Sequence, residues 1–284
     1  MQLSLLDGVT NGGRERAVPP AGPCAWAGAR RVELGDGAWL EVVRRWVPHQ
    51  AALFERAQAS ADWELHERQM YERVVAVPRL VAACPGTGPG PAWTGETAVR
   101  VLPHRATSAG VAETAGRLRE LAAAVSARYE RRLPSISLAY YRDGNDSVAF
   151  HGDRLGPLRP DTVVAILSLG APRRFLLRRA PSASARALPE ALLRAGIGVA
   201  FGRASARPVF ALSVGEGDLL VMGGSCQETW EHGVPKQTDV GPRIAVMFRE
   251  RWDEEDGGMR NIRGPVSVRA GRSGPPAPRW RSVE

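Results

Sequence analysis

Tyr141-Arg142-Asp143-Gly144-Asn145-Asp146-Ser147-Val148-Ala149-Phe150-His151-Gly152-Asp153 opens on turn-forming residues and closes on a histidine and an aspartate two positions apart. Side chains alternate across a strand, so an extended segment over 148–153 projects His151 and Asp153 from one face. An imidazole and a carboxylate are two metal ligands. His232, in Trp230-Glu231-His232-Gly233-Val234-Pro235, is the natural third, and two histidines with one carboxylate make the open face that holds non-haem iron(II). A lone His-x-Asp arises by chance in many chains, so the surrounding pattern has to bring His232 close.

That pattern is a run of short strands. From residue 135 onward there are eight candidates, over 135–142, 148–153, 163–169, 174–179, 207–214, 218–222, 229–234 and 244–249, separated by turns bearing Gly, Pro or Asp. Upstream, residues 111–132 carry Ala115, Leu118, Leu121, Ala122, Val125 and Tyr129 at three- and four-residue spacing. Arg117, Arg119, Glu120, Arg128 and Glu130 lie opposite, the mark of an amphipathic helix against something flat. Residues 39–59, with Pro48 able to start a helix in its first turn, are expected to be largely helical, and Val32-Glu33-Leu34 a short strand. Helices followed by many strands predict an α+β, mainly β chain: a double-stranded β-helix (jelly roll) with N-terminal helices packed on one sheet. In a closed jelly roll, the strands carrying His151 and His232 can lie side by side.

The 284 residues, 44% hydrophobic and 24% charged, suffice for one domain, expected over 31–252. Residues 1–30, rich in Gly, Pro, Ala and Arg, are expected to be a flexible leader, 84–95 a loop, and 253–284 a disordered tail. No apolar run reaches the roughly 18 residues that span a bilayer. The first residues also lack the pattern of a signal peptide, so a cytoplasmic location with no membrane association is expected. Cys24, Cys84 and Cys226 are odd in number and never in Cys-x-x-Cys pairs, which suits ordinary thiols rather than disulfides or structural zinc. The net charge of +8 is nearly all arginine, Lys236 being the only lysine. Guanidinium forks match phosphate oxygens, and a GC-rich genome yields the same composition. Residues 63–80 interleave aromatic and basic side chains, which fits a surface that stacks bases and meets phosphates and equally a strand pair with a solvated basic face.

In Arg243-Ile244-Ala245-Val246-Met247-Phe248-Arg249 the arginines are six apart, so both share a face with Ala245 and Met247 while Ile244, Val246 and Phe248 point the other way. An unpaired charge inside a jelly roll costs several kcal/mol. Acidic residues at the sheet rim would answer it, and so would a bound dicarboxylic acid.

Taken in order, Tyr-x-Asp-Gly-x-Asp-Ser-x-x-x-His-x-Asp, then Leu-Ser-Leu-Gly-Ala-x-Arg-x-Phe ending at Phe175, then Trp-Glu-His-Gly-Val-Pro-Lys ending at Lys236, then the arginine pair closely resemble the AlkB family of iron(II)- and 2-oxoglutarate-dependent dioxygenases. The resemblance covers about 31–252. It implies that His151, Asp153 and His232 ligate iron(II), that Tyr141 and Arg243 hold the distal carboxylate of 2-oxoglutarate, and that Arg249 lies by the carboxylate that chelates iron. Dioxygen is the other co-substrate. The implied reaction is oxidative demethylation of N-alkylated bases in DNA or RNA, by a monomer, with release of formaldehyde, succinate and carbon dioxide. The family's nucleotide-recognition lid falls on 63–80, where Arg68, Tyr71, Arg73 and Arg79 are the expected nucleic-acid contacts. Gln2-Leu3-Ser4-Leu5-Leu6 resembles the peptide by which many bacterial repair proteins dock on the replication sliding clamp.

Three positions depart from the family pattern. Ala139 and Ala245 stand where polar residues near the co-substrate are common, and Leu155 stands where repair members often carry an acid that reads the base. A dioxygenase of proteins or small molecules would keep the triad and arginines without a basic lid. A non-catalytic nucleic-acid-binding jelly roll would need no open metal site, and a zinc hydrolase gives no reason for Tyr141 and two inward arginines.

Overall fold

Period-two alternation through the second half of the chain produces two antiparallel sheets laid face to face. The computed structural model describes residues 26–70, 73–84, 96–102, 105–153, 161–183, 192, 197–200 and 208–250. In chain order its elements are β1 (Arg30–Gly35), β2 (Ala38–Val43), α1 (Gln50–Ser60), β3 (Trp63–Met70), β4 (Arg73–Ala83), β5 (Glu96–Leu102) and α2 (Ser108–Tyr129). There follow β6 (Ser135–Tyr141), β7 (Val148–His151), β8 (Thr162–Gly170), β9 (Arg173–Arg179), β10 (Gly198–Ala200), β11 (Val209–Val214), β12 (Asp218–Gly224), α3 (Cys226–Thr229), β13 (Trp230–Val234) and β14 (Arg243–Arg249).

The larger sheet runs β1-β2-β12-β8-β14-β6-β4-β3-β5 and the smaller β10-β11-β9-β13-β7. The eight expected strands divide evenly between the layers, crossing from one to the other at every step except β9 to β11, which pair with each other: β6, β8, β12 and β14 belong to the larger sheet, and β7, β9, β11 and β13 to the smaller. That winding between two layers is the double-stranded β-helix. It also lays β13 against β7, with His232 directly opposite His151.

Side-chain parity sorts the larger sheet into two cores. Val164, Ile166, Leu220 and Met222 meet Phe175 and Phe210 between the sheets. Their neighbours Leu167, Val246 and Phe248 point the other way, toward Leu118 and Val125 of α2. β8 sits mid-sheet with a layer on each side, which is why Thr162–Gly170 reads as a nearly continuous apolar run. Each large aliphatic or aromatic side chain so buried contributes about 1.5–3 kcal/mol. At the start of α2, Thr107 accepts a hydrogen bond from the Gly110 N–H at 3.2 Å.

The helix expected over 39–59 is confined to α1, and Ala38–Val43 is a strand. Trp39 and Val43 join the helix-side core, Ala38 and Leu40 the inter-sheet core, a period of two that only a partner strand makes useful. That partner is β12, where Gly223 pairs with Trp39. A Cβ on Gly223 would lie 2.0 Å from the indole, so the ring occupies the space a side chain there would need. The described part of 63–80 lies in the antiparallel β3–β4 pair, whose β3 edge is covered by β5. Neither β5 nor the short β10 was expected from the sequence. Residues 1–25 with the Gln2–Leu6 peptide, 85–95 and the 253–284 tail lie outside the described residues. Among those described, no helix is long and apolar enough to cross a membrane.

Candidate metal centre

The histidines of neighbouring strands β7 and β13 bring their ring centroids to 4.4 Å. Asp153 arrives differently from the alternation argument: β7 ends at His151, and the chain carries Asp153 to the site beyond the strand. Two features of α3 place it. The Asp153 N–H donates to Gln227 Oε1 at 2.8 Å, and Gly152 lies so close that an added Cβ would be 2.5 Å from the Gln227 carbonyl oxygen. One ligand atom from each of His151, Asp153 and His232 then lies within 4.8 Å of the others.

The ligands are arranged for coordination. The Ala149 carbonyl can only accept, so the 2.8 Å contact makes His151 Nδ1 the donor, and Nε2 is the nitrogen left for a metal. Burial, followed by the neighbouring His151, pushes His232 down to about 3, so it stays neutral, with the Phe175 ring stacked 5.4 Å away. Burial alone would raise the Asp153 carboxyl, but Arg249, through its charge and its hydrogen bond, outweighs it and holds the carboxyl well below the usual carboxylate range. Asp153 Oδ1 accepts from Arg249 at 3.0 Å, while Oδ2 is buried without a hydrogen-bond partner. Burial and the Asp153 charge push the nearby Cys226 up to about 12, so it remains a thiol.

A second set of groups faces the same interior. Tyr141 and Arg243 are directly opposite on β6 and β14, with the guanidinium 5.3 Å from the ring centre. Arg243 is 1% exposed; Nη2 donates to Ser168 at 2.7 Å, while Nε and Nη1 are buried with no partner. Burying one anion acceptor and one cation, each incompletely paired, is costly unless ligands complete them. A divalent cation answers Asp153 Oδ2 and a carboxylate answers Arg243, so the residues fit a metal with a dicarboxylic acid.

Four contributors carried no expected role. Arg173, fully buried, donates to the carbonyls of Asp143 and Asp146 at 2.8 Å and of Pro235 at 3.3 Å, fastening the loop after Tyr141 to β9 and β13. Ser168, Ser137 and Gln227 supply single polar atoms. Arg173 and Ser168 lie inside the Leu167–Phe175 motif, which was the available signal; Ser137 and Gln227 have none, because only strand pairing shows what they face. Ala139 and Ala245 turn out to be cross-strand partners, with Ser168 beside Ala245 on β8, so the two departures form one small patch of the floor.

The expected nucleic-acid contacts are less well placed. Arg68 and Arg73 fall in β3 and β4 with side chains outside the described part, and Tyr71 and Leu155 lie outside the described residues. Arg79 is buried beside Leu80, whose strand partner is Tyr140, so it belongs to the sheet rather than to an exposed rim.

A family model described as the 2OG-Fe(II) oxygenase superfamily matches residues 41–260. The chain belongs to that superfamily. This 2OG-Fe(II) oxygenase works with iron(II), 2-oxoglutarate and dioxygen, in keeping with the two incompletely paired groups. Its relatives are of the AlkB type. It is 31% identical over 127 residues to the Mus musculus alpha-ketoglutarate-dependent dioxygenase alkB homolog 3, covering 44% of this chain and 39% of that protein. It is 26% identical over 226 residues to the Arabidopsis thaliana DNA oxidative demethylase ALKBH2, covering 78% and 68%. The match to alkB homolog 3 thus spans well under half of that relative's length. A solved structure of OsALKBH1 aligns over 78% of this chain and 100% of its own at 10% identity and a TM-score of 0.40.

Proposed function

We propose that this oxygenase demethylates N-alkylated bases in DNA, and in RNA where the base is accessible, with release of formaldehyde, succinate and carbon dioxide. The observation that carries the oxidative part is the pair of incompletely satisfied groups, Asp153 Oδ2 and Arg243 Nε and Nη1, in one interior. His151 Nε2, His232 and Asp153 Oδ2 would hold iron(II); Arg243 and Tyr141 would hold the distal carboxylate of 2-oxoglutarate. Bound together with dioxygen, these supply the oxidant that hydroxylates the N-methyl group. The protein contributes geometry: a neutral His232 beside His151, a carboxylate with one oxygen already engaged, and a buried cation that orients the co-substrate. The names of the relatives and the arginine-rich charge of +8 favour a nucleic acid as the partner. In a duplex the target base has to be flipped out, at a cost of a few kcal/mol.

The test supplies iron(II), 2-oxoglutarate and ascorbate with oligonucleotides bearing 1-methyladenine or 3-methylcytosine, single- and double-stranded, DNA and RNA. Formaldehyde release is expected, and its loss in His151→Ala. Succinate formation without demethylation of any of these would discard the nucleic-acid substrate and leave a dioxygenase of proteins or small molecules. Docking of Gln2–Leu6 on a sliding clamp is also proposed. Deleting residues 1–7 should abolish clamp binding, and an intact protein that fails to bind ends that idea.

A further inference from the structure

Arg249 reaches Asp153 from β14, and what steadies it there is a hydroxyl on the adjacent strand. Ser137 of β6 is 3% exposed and accepts from Arg249 Nη1 at 2.6 Å, while Nη2 of the same guanidinium donates to Asp153 Oδ1 at 3.0 Å. We propose that Ser137 is a positioning residue of the metal centre, acting through Arg249 to fix which oxygen of Asp153 is offered to the metal. This rests on the metal-centre assignment proposed above.

The physical reasons lie in how many ways each group can turn. A carboxylate free about its last torsion can offer a metal one oxygen or both, and offering both would consume a position the reaction needs open. Arg249 removes that choice by engaging Oδ1, which leaves the partnerless Oδ2 as the single donor. A guanidinium held by one hydrogen bond can still swing about its own long stem. Nη2 also meets the weakly accepting Met247 Sδ at 3.2 Å, but the bond to Ser137 is the one that fixes the other nitrogen, Nη1, and so the plane of the guanidinium. Ser137 is itself held by backbone pairing on both sides, opposite Met247 on β14 and Ala83 on β4. The acceptor is also of the right kind. A carboxylate at 137 would compete with Asp153 for the positive charge, whereas a neutral hydroxyl anchors Nη1 and leaves that charge to the metal ligand.

The experiment titrates Mn(II), as a stand-in for iron(II), into the full chain freed of metal, by calorimetry and by the electron paramagnetic resonance signal of free Mn(II). Ser137→Ala is expected to weaken binding by about tenfold, the usual scale for partners of metal ligands, and Ser137→Thr to restore most of it. Ser137→Cys, which keeps the volume but is a poor acceptor, should match Ser137→Ala and guards against a cavity effect. In an Arg249→Met background the change to Ala should add nothing. Affinity within roughly twofold of the parent for both Ala and Cys variants, or an equal loss with Arg249 already removed, would overturn the role of Ser137 while leaving the metal centre standing. A parent protein that binds no Mn(II) would overturn the metal centre and this role with it.

Discussion

Replacing Gly152 with alanine puts a methyl group where the structure leaves no room for one. The new Cβ would lie 2.5 Å from the Gln227 carbonyl oxygen, inside the 3.0 Å that real Cβ contacts respect, with the Trp230 carbonyl oxygen 3.7 Å away. The obstacle is backbone and cannot rotate aside. The same Gln227 holds the Asp153 N–H through Oε1 at 2.8 Å, so any movement that relieves the clash pulls Asp153 off its anchor. Overpacking of this kind costs about 1–3 kcal/mol, and the lost hydrogen bond about 1 kcal/mol more. A net loss of about 2 kcal/mol lowers Tm by roughly 4–8 °C in a domain of this size. Displacing a metal ligand should weaken divalent metal binding by about 10- to 100-fold. Differential scanning fluorimetry and Mn(II) titration measure the two effects on one preparation. Gln227→Ala serves as the companion: it removes only the hydrogen bond, so its effects should be smaller in both assays. A Gly152→Ala protein that melts with the parent and binds metal as tightly would show that this close approach constrains nothing.

Two further outcomes are expected. Arg243→Met removes a buried guanidinium with unpartnered Nε and Nη1, so the ligand-free protein should gain about 1–4 kcal/mol of stability while 2-oxoglutarate ceases to raise its Tm. A destabilised variant that keeps the ligand-induced shift would refute that assignment of Arg243. For Asp146, burial acts to raise the carboxyl, but hydrogen bonds from Arg142, backbone and side chain at 2.8 Å, prevail and hold it below its ordinary 3.8. A depressed folded value means stabilisation present above the unfolded value and lost as pH falls through the folded one. Asp146→Asn should therefore be less stable than the parent near pH 7 and converge with it in acid, as followed by urea unfolding across pH; a constant gap would contradict the ion pair.

Much of the site is legible because local periodicity carries it. Arg243 and Arg249 are six apart, so strand geometry alone puts both on the inner face with Ala245 and Met247, and the structure has them there. Likewise the three-four spacing of Leu118, Leu121 and Val125 is enough to make α2 and to say which side it buries. Residues 39–59 misled because apolar residues in a short run suit either period, and only pairing with β1 on one side and β12 on the other selects a strand for Ala38–Val43.

The sequence by itself determined which side chains were available for chemistry and which way most of them face, since both follow from residue type and from a repeat of two or 3.6 along the chain. Tertiary structure alone decided the partners. It set His232 opposite His151, carried Asp153 past the end of its strand to Gln227, and gave Arg249 two anchors, Ser137 and Asp153. Those contacts join residues far apart in the chain, and their energies depend on strand register and on burial, neither of which a local pattern encodes.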